Sequence, residues 1–230
     1  SRSRSKRNNP RRSRFRQHFK LLLAAVALGV FVKILFLHAY RLPSRSMEDT
    51  LLVGDFLLAE KVSFGVPLPL VGFRMPAVSS PIIGDVLLFN YPLEPETAYV
   101  KRCVAVAGQV VEIRDKVLYV DGNRVPDPPY SKFLDARIYR GFENPRDNTG
   151  PLTVPDGYVF VMGDNRDNSR DSRHWGMLPI ELIFGRVICV YWSCRLLTEL
   201  DTHMGEGTLF DTLTSIIERI RWERVGLLVR

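Results

Sequence analysis

The sequence predicts a mainly β fold: a barrel-like antiparallel domain with a small inserted subdomain, preceded by one transmembrane helix. Three observations predict it. The run Leu21–Leu37 is apolar apart from one charge, Lys33. After Arg41 the texture changes to short runs rich in Val, Ile, Tyr and Phe, several of them alternating with polar residues. Turn signals separate those runs, among them Gly54-Asp55, Gly84-Asp85, Asp121-Gly122 and Pro155-Asp156-Gly157.

The first element is a basic arm, residues 1–20, with nine Lys or Arg. Alone it reads as a nucleic-acid or targeting tract. The apolar run behind it changes that reading. Extended to Tyr40, residues 21–40 are long enough as a helix to cross about 30 Å of hydrocarbon. A basic cluster beside such a helix stays on the cytoplasmic side. Residues 1–20 are therefore placed inside and 41–230 outside. A cleavable signal peptide is the first alternative, but LHAYRLPS offers no clear small-x-small site. A buried helix of a soluble protein is the second. His18 and His38 bracket the segment, and Lys33 can snorkel to the headgroups.

Composition supports this division. The 230 residues are 46% hydrophobic and 25% charged, neither disordered nor collagen-like. Three cysteines exclude a disulfide-dense mini-fold. The formal charge of +7 is unevenly spread. Residues 1–41 hold eleven bases and no acid, and the remaining 189 hold 21 bases and all 25 acids. The outer part is thus mildly acidic, and the charge signals orientation rather than a nucleic-acid ligand.

Strands are predicted at Asp55–Val62, Asp85–Asn90, Tyr99–Val106, Gln109–Arg114, Val117–Val120, Gly157–Met162 and Arg186–Trp192. Phe64–Val78 is apolar and proline-punctuated. It reads either as a loop covering the core or as a surface dipped into lipid. Pro126–Pro155 is polar and Pro-rich and reads as an inserted subdomain or a long loop. Leu209–Ile220 has helical apolar spacing and predicts an amphipathic helix.

Much chemistry is missing. There is no HExxH, CxxC pair, dinucleotide fingerprint or P-loop. The acidic run Asp164–Arg173 fails as a calcium loop. Counted from Asp167, position 6 is Ser172 rather than Gly, and position 12 is Leu178 rather than Glu. No metal and no cofactor is expected. Cys189 and Cys194 would need an intervening turn to pair, and Cys103 reads as a packing residue. Two features remain. Ser46 lies in the loop Pro43-Ser44-Arg45-Ser46-Met47, where spacing alone makes it a cap or turn residue, and Lys101 sits in an otherwise mostly apolar strand. Lys101 reads as a solvent-facing edge residue, or as a desolvated base able to activate Ser46.

Four blocks in order resemble the type I signal peptidases, the bacterial membrane-bound leader peptidases: PSRSMEDTLLVGD (43–55), GDVLLFNYP (84–92), YVKRCVAVAGQ (99–109) and VMGDNRDNSRDSRHWG (161–176). The ending RWERVG (221–226) also resembles that family. The resemblance implies a membrane-anchored serine endopeptidase that removes signal peptides from exported preproteins after small-x-small motifs, through an acyl-enzyme. It implies Ser46 as nucleophile and Lys101 as general base. The Ser46 N–H and the Ser44 hydroxyl would form the oxyanion hole. Ser169 would orient the lysine, with Asp171–Arg173 and Asp164–Arg102 as supporting pairs. Leu42, Pro43, Met47, Leu51, Tyr99 and Val100 would line substrate pockets. The resemblance also implies an insertion at 112–157. The implied partners are preproteins and the lipid bilayer, the implied setting is the bacterial cytoplasmic membrane with the catalytic domain outside, and a monomer is expected. The sequence departs from the family at Asp49, where Pro is usual, and at Ala105, Ala107 and Gln109, where Gly, Pro and Asp are usual. Two rivals are an inactive membrane-tethered β-domain and a soluble Ser-Lys autoprotease that acts on DNA-bound repressors.

Overall fold

A computed structural model describes residues 10–65, 67–68, 73–74, 76–195 and 218–229. Residues 1–9 of the basic arm and residues 209–217 of the predicted C-terminal helix lie outside the described residues.

Helix α1 runs from Pro10 to Phe36. It is followed by β1 (Leu37–Arg41), β2 (Asp55–Glu60), β3 (Pro67–Leu68), β4 (Phe73–Arg74), β5 (Val86–Tyr91) and β6 (Glu94–Val106). Next come β7 (Val110–Arg114), β8 (Val117–Val120), β9 (Asn123–Arg124), β10 (Thr149–Thr153) and β11 (Tyr158–Met162). A one-turn helix α2 (Ser172–Trp175), β12 (Leu178–Pro179), β13 (Ile183–Ser193) and β14 (Leu227–Leu228) complete the order.

The predicted helical segment 21–40 is corrected at its end. Residues Leu37–Arg41 pair antiparallel with β2 in unbroken register, from Leu37↔Glu60 to Arg41↔Phe56. Backbone pairing along an existing strand there wins over helix continuation, and Lys61 N–H takes up the Phe36 carbonyl. The apolar helical stretch is thereby cut to Leu21–Phe36, about 24 Å at 1.5 Å per residue. Among the described residues no helix is long and apolar enough to cross a membrane.

The main sheet runs β1-β2-β13-β5-β6-β11-β12, with β14 on β13. All of its pairings are antiparallel. The path does not return on itself, so the predicted barrel-like closure is not seen. Period-2 patterning locates strands but does not say whether the last pairs with the first. A second sheet, β10-β7-β8-β9, is built from residues inside and just before the predicted insertion.

The seven predicted strands all appear, with ends shifted by a few residues. β5 is apolar on both faces because both are covered. Val86 and Leu88 join a core with Leu42, Met47, Leu51, Leu57, Val100 and Val190. Leu87 and Phe89 join another with Phe64, Cys103, Val161 and Ile183. A third core, with Val104, Val111, Ile113, Leu118 and Phe160, joins β6 and β11 to the small sheet. Of the stretch Phe64–Val78, Phe64 is buried and Val78 is exposed.

Candidate active site

The loop that carries Ser46, 42–54, crosses from β1 to β2 and is pinned at both ends. Leu42 N–H donates to the Asp55 carbonyl and Gly54 N–H to the Leu42 carbonyl. Asp55 is fully buried. It accepts from Leu52 N–H at 2.8 Å and from Ser193 Oγ at 2.6 Å. Arg221 and Arg224 reach it at 3.3 and 2.7 Å. Those arginines also donate to the Val53 and Thr50 carbonyls. The C-terminal RWER segment is therefore fastened under the loop that carries Ser46.

Lys101 projects from the middle of β6, opposite Leu87 of β5. Its Nζ donates to Ser46 Oγ at 2.7 Å and to the Val100 carbonyl at 3.1 Å. The side chain is 3% exposed. Burial lowers its pKa from 10.5 to about 8; Asp171 and Asp164 oppose the fall, while Arg173 adds to it. A lysine so placed is partly neutral near physiological pH and touches a hydroxyl whose proton it can take. Ser44 Oγ lies 3.1 Å from Ser46 Oγ. Among the described residues the Ser46 N–H has no hydrogen-bond acceptor, so it is left free to donate elsewhere.

The acidic-Arg segment frames this pair, and its carboxylates are held by cations of the chain. Asp164 accepts both arms of Arg102, at 2.9 and 2.8 Å, and the Thr50 hydroxyl at 2.6 Å. Asp171 caps α2, accepts Arg173 Nε and Nη2 at 2.8 Å each, and accepts Gly163 N–H at 3.0 Å. Burial pushes the Asp171 carboxyl up, but the Arg173 charge and the hydrogen bonds outweigh it and hold the pKa at about 2. Asp167 pairs with Lys116 of the turn between β7 and β8 at 2.6 Å.

The predicted residues are mostly brought together, with two differences. Ser169 is buried beside the site, yet its hydroxyl makes no hydrogen bond of good geometry, to Lys101 or to any other described residue. It stands close enough to Asp171 to help lower that carboxyl. Met47 and Leu51 are fully buried in the core behind the loop and do not line the cleft. Their i, i+4 spacing turns them inward, and the Leu51 N–H bonds back to the Met47 carbonyl. Leu42, Pro43, Tyr99 and Val100 do line a cleft of about 550 Å³ that reaches Ser46 and Lys101.

Other residues of the site were not singled out from the sequence. Asn165 N–H donates to the Ser46 carbonyl at 3.1 Å, and its side-chain amide donates to the Arg45 carbonyl. A Cβ on Gly163 would stand 2.2 Å from Ser169 Oγ and 2.4 Å from the Ser46 carbonyl oxygen. Tyr40 lines the cleft and donates to the Ala98 carbonyl at 2.7 Å. The two residues flanking Ser169 in sequence, Asn168 and Arg170, were legible only as part of the acidic-Arg block. Cys103, Cys189 and Cys194 are free thiols, and burial pushes Cys103 up to about 12.

A model of the family described as signal peptidase, peptidase S26, matches residues 15–192. The signal peptidase I of Pseudomonas fluorescens is 34% identical over 208 residues, covering 76% of this chain and 70% of its own length. That of Pseudomonas aeruginosa is 34% identical over 203 residues, with the same coverages. That of Aquifex aeolicus is 30% identical over 233 residues, covering 79% of this chain and 85% of its own.

Proposed function

The chain belongs to the signal peptidase S26 family and is a serine endopeptidase, and from that premise we propose that it cuts signal peptides from exported preproteins with a Ser46–Lys101 dyad. The observation that carries the reading is the 2.7 Å hydrogen bond between a buried, low-pKa lysine and the serine hydroxyl.

Neutral Lys101 takes the Ser46 proton as Oγ attacks the carbonyl carbon of the scissile bond. The developing oxyanion is held by the Ser46 N–H and the Ser44 hydroxyl. Lys101 then gives its proton to the departing amine, which leaves Ser46 as an ester. A water, deprotonated by Lys101, hydrolyses that ester and restores both side chains. Ser169, Asp171–Arg173 and Asp164–Arg102 act by holding the loop and the lysine in place. Leu42, Pro43, Tyr99 and Val100 face the substrate and select small side chains one and three residues before the cut.

The anchor in this reading is the apolar part of α1. Its support is the single charge in Leu21–Leu37 and the exposure of Leu21, Leu22, Leu23, Val26, Leu28 and Phe31, each at least half exposed. An apolar helical stretch that no other described residues cover fits lipid. Its short apolar length is met by snorkelling of Lys20 and Lys33 and by local thinning of the bilayer. The basic residues before it keep residues 1–20 in the cytoplasm, and residues 41–230 form the catalytic domain on the far face of the bacterial membrane, with 112–157 as its inserted subdomain. The anchored protein works as a monomer.

The test is cleavage of a purified preprotein in detergent, with the new N-terminus sequenced. Wild type should cut after a small-x-small site, and Ser46→Ala should lose the activity while keeping its fold. Cutting elsewhere, or by Ser46→Ala at the wild-type rate, would overturn the proposal.

A further inference from the structure

The arginines that frame the site each place their guanidinium on a carboxylate. Arg102 is paired with Asp164, Arg173 with Asp171, Arg166 with Asp127 and Arg146 with Asp147. Two others differ. Arg45 and Arg170 line the cleft, are exposed, and have no carboxylate partner among the described residues. Arg45 immediately precedes Ser46. Arg170 immediately follows Ser169, which sits against Gly163 at the Ser46 carbonyl; its charge also reaches the Tyr99 phenol, opposing the larger effects of burial, Tyr91 and Glu94 there. The Tyr99 ring lies 5.1 Å from Lys101 Nζ. Both arginines therefore line the cleft next in sequence to residues of the site, Ser46 and Ser169.

The lining also holds a charge of the opposite sign. Glu96 lines the cleft on the same strand as Lys101, is exposed, and has no cation partner among the described residues. At about 3.3 Å per strand residue it lies roughly 16 Å along β6 from the lysine. The cleft lining thus carries two unpaired cations next in sequence to the site residues and an unpaired anion farther along β6. Unpaired charges at the rim of a low-dielectric groove attract a mobile partner of opposite sign and repel one of the same sign.

We propose that Arg45 and Arg170 make the cleft select substrates with an acidic side chain within about three residues of the bond cut. The inference rests on the endopeptidase reading above and adds to it the charge of the preferred substrate. It requires no new chemistry, only a complementary carboxylate near the reacting bond.

The test is a positional scan with full-length enzyme in detergent. Neutral peptides carry alanine one and three residues before the cut. Asp, Asn or Lys is placed in turn two residues before it and one, two or three residues after it. At the best position the wild type should cut the Asp peptide about three to ten times faster in kcat/KM than the Asn peptide, and the Lys peptide more slowly than either. About 0.5 M salt should remove most of the difference. In the Arg45→Gln/Arg170→Gln double variant the Asp-to-Asn ratio should fall toward one, a readout that loss of overall rate alone would not move. Equal cutting of Asp and Asn peptides at every position by wild type overturns the inference, as does a wild-type ratio in the double variant or a preference that salt leaves unchanged. The wild-type scan and its salt dependence need no variant to fold. Cutting without charge discrimination leaves the peptidase reading standing, whereas failure to cut any peptide at the designed bond overturns both.

Discussion

Asn165 donates its backbone N–H to the Ser46 carbonyl at 3.1 Å, so the Ser46 loop hangs from the segment that also supplies Asp164 and Asp171. Between Asn165 and the end of β11 lies Gly163, with no space for a side chain. A methyl there meets the Ser46 carbonyl and the Ser169 side chain at under 2.7 Å. Gly163→Ala should lower kcat/KM by at least about tenfold through displacement of Ser46. It should cost about 1–3 kcal/mol of stability from overpacking. Steady-state kinetics and thermal melting of the same preparation check both.

Asp55 joins the opposite end of that loop to the C-terminal segment. It is fully buried, and Arg224 at 2.7 Å is its shorter ion-pair contact. Arg224→Ala strips a buried carboxylate of one partner and the Thr50 carbonyl of a donor. The expected loss is about 2–4 kcal/mol, tempered by Arg221. Urea unfolding of Arg224→Ala, Asp55→Asn and the double variant should show clear coupling between the two sites.

Asp49 has φ 80°, in the left-handed region. Proline, the family's usual residue there, locks φ near −65° and cannot adopt that backbone. The loop has instead built a clamp in which Lys132 reaches Asp49 at 3.3 Å and Glu48 at 3.5 Å. Asp49→Pro should therefore destabilise this chain despite restoring the family residue. Asp49→Gly should cost little or gain up to about 1 kcal/mol from relief of backbone strain. Melting temperatures of the two variants should move apart in that order.

Lys101 should make the fold less stable at neutral pH. Its folded pKa, about 8, lies below the ordinary 10.5. Folding is therefore penalised wherever the unfolded lysine is protonated. The penalty is full below pH 8 and fades as pH rises toward 10.5. Lys101→Met, which keeps the stem and drops the charge, should gain about 1–3 kcal/mol at pH 7 while abolishing cleavage. Chemical denaturation at pH 7 and pH 10 should show the gain shrinking at the higher pH.

The strands were legible because each leaves a local mark, whereas the pairing of Ser46 with Lys101 came from the resemblance of four ordered blocks, spacing alone making Ser46 a cap or turn residue. Gly-Asp turns precede β2 and β5, an Asp-Gly turn follows β8, and a lone lysine in a mostly apolar strand stands out at Lys101. What was not legible depends on contacts between distant segments. The helix-to-strand switch at Leu37 needs β2 as a partner. The open edge of the sheet is a property of the assembled fold. Met47 and Leu51 lie in the nucleophile block, but only the turn of the loop decides that they face the core. Gly163 and Asn165 read as turn residues until the Ser46 carbonyl is seen beside them. β10 is hidden in a Pro-rich stretch because its pairing with β7 is interrupted by a register shift between Thr149 and Leu152.

The dyad is tested most directly by the pH dependence of kcat/KM for preprotein cleavage between pH 5 and 10. The proposed dyad needs neutral Lys101, and burial has brought its pKa to about 8. The rate should rise tenfold per pH unit on the acidic side, bend near pH 8 and level off above it. A profile flat from pH 9 down to 5 would contradict Lys101 as the base.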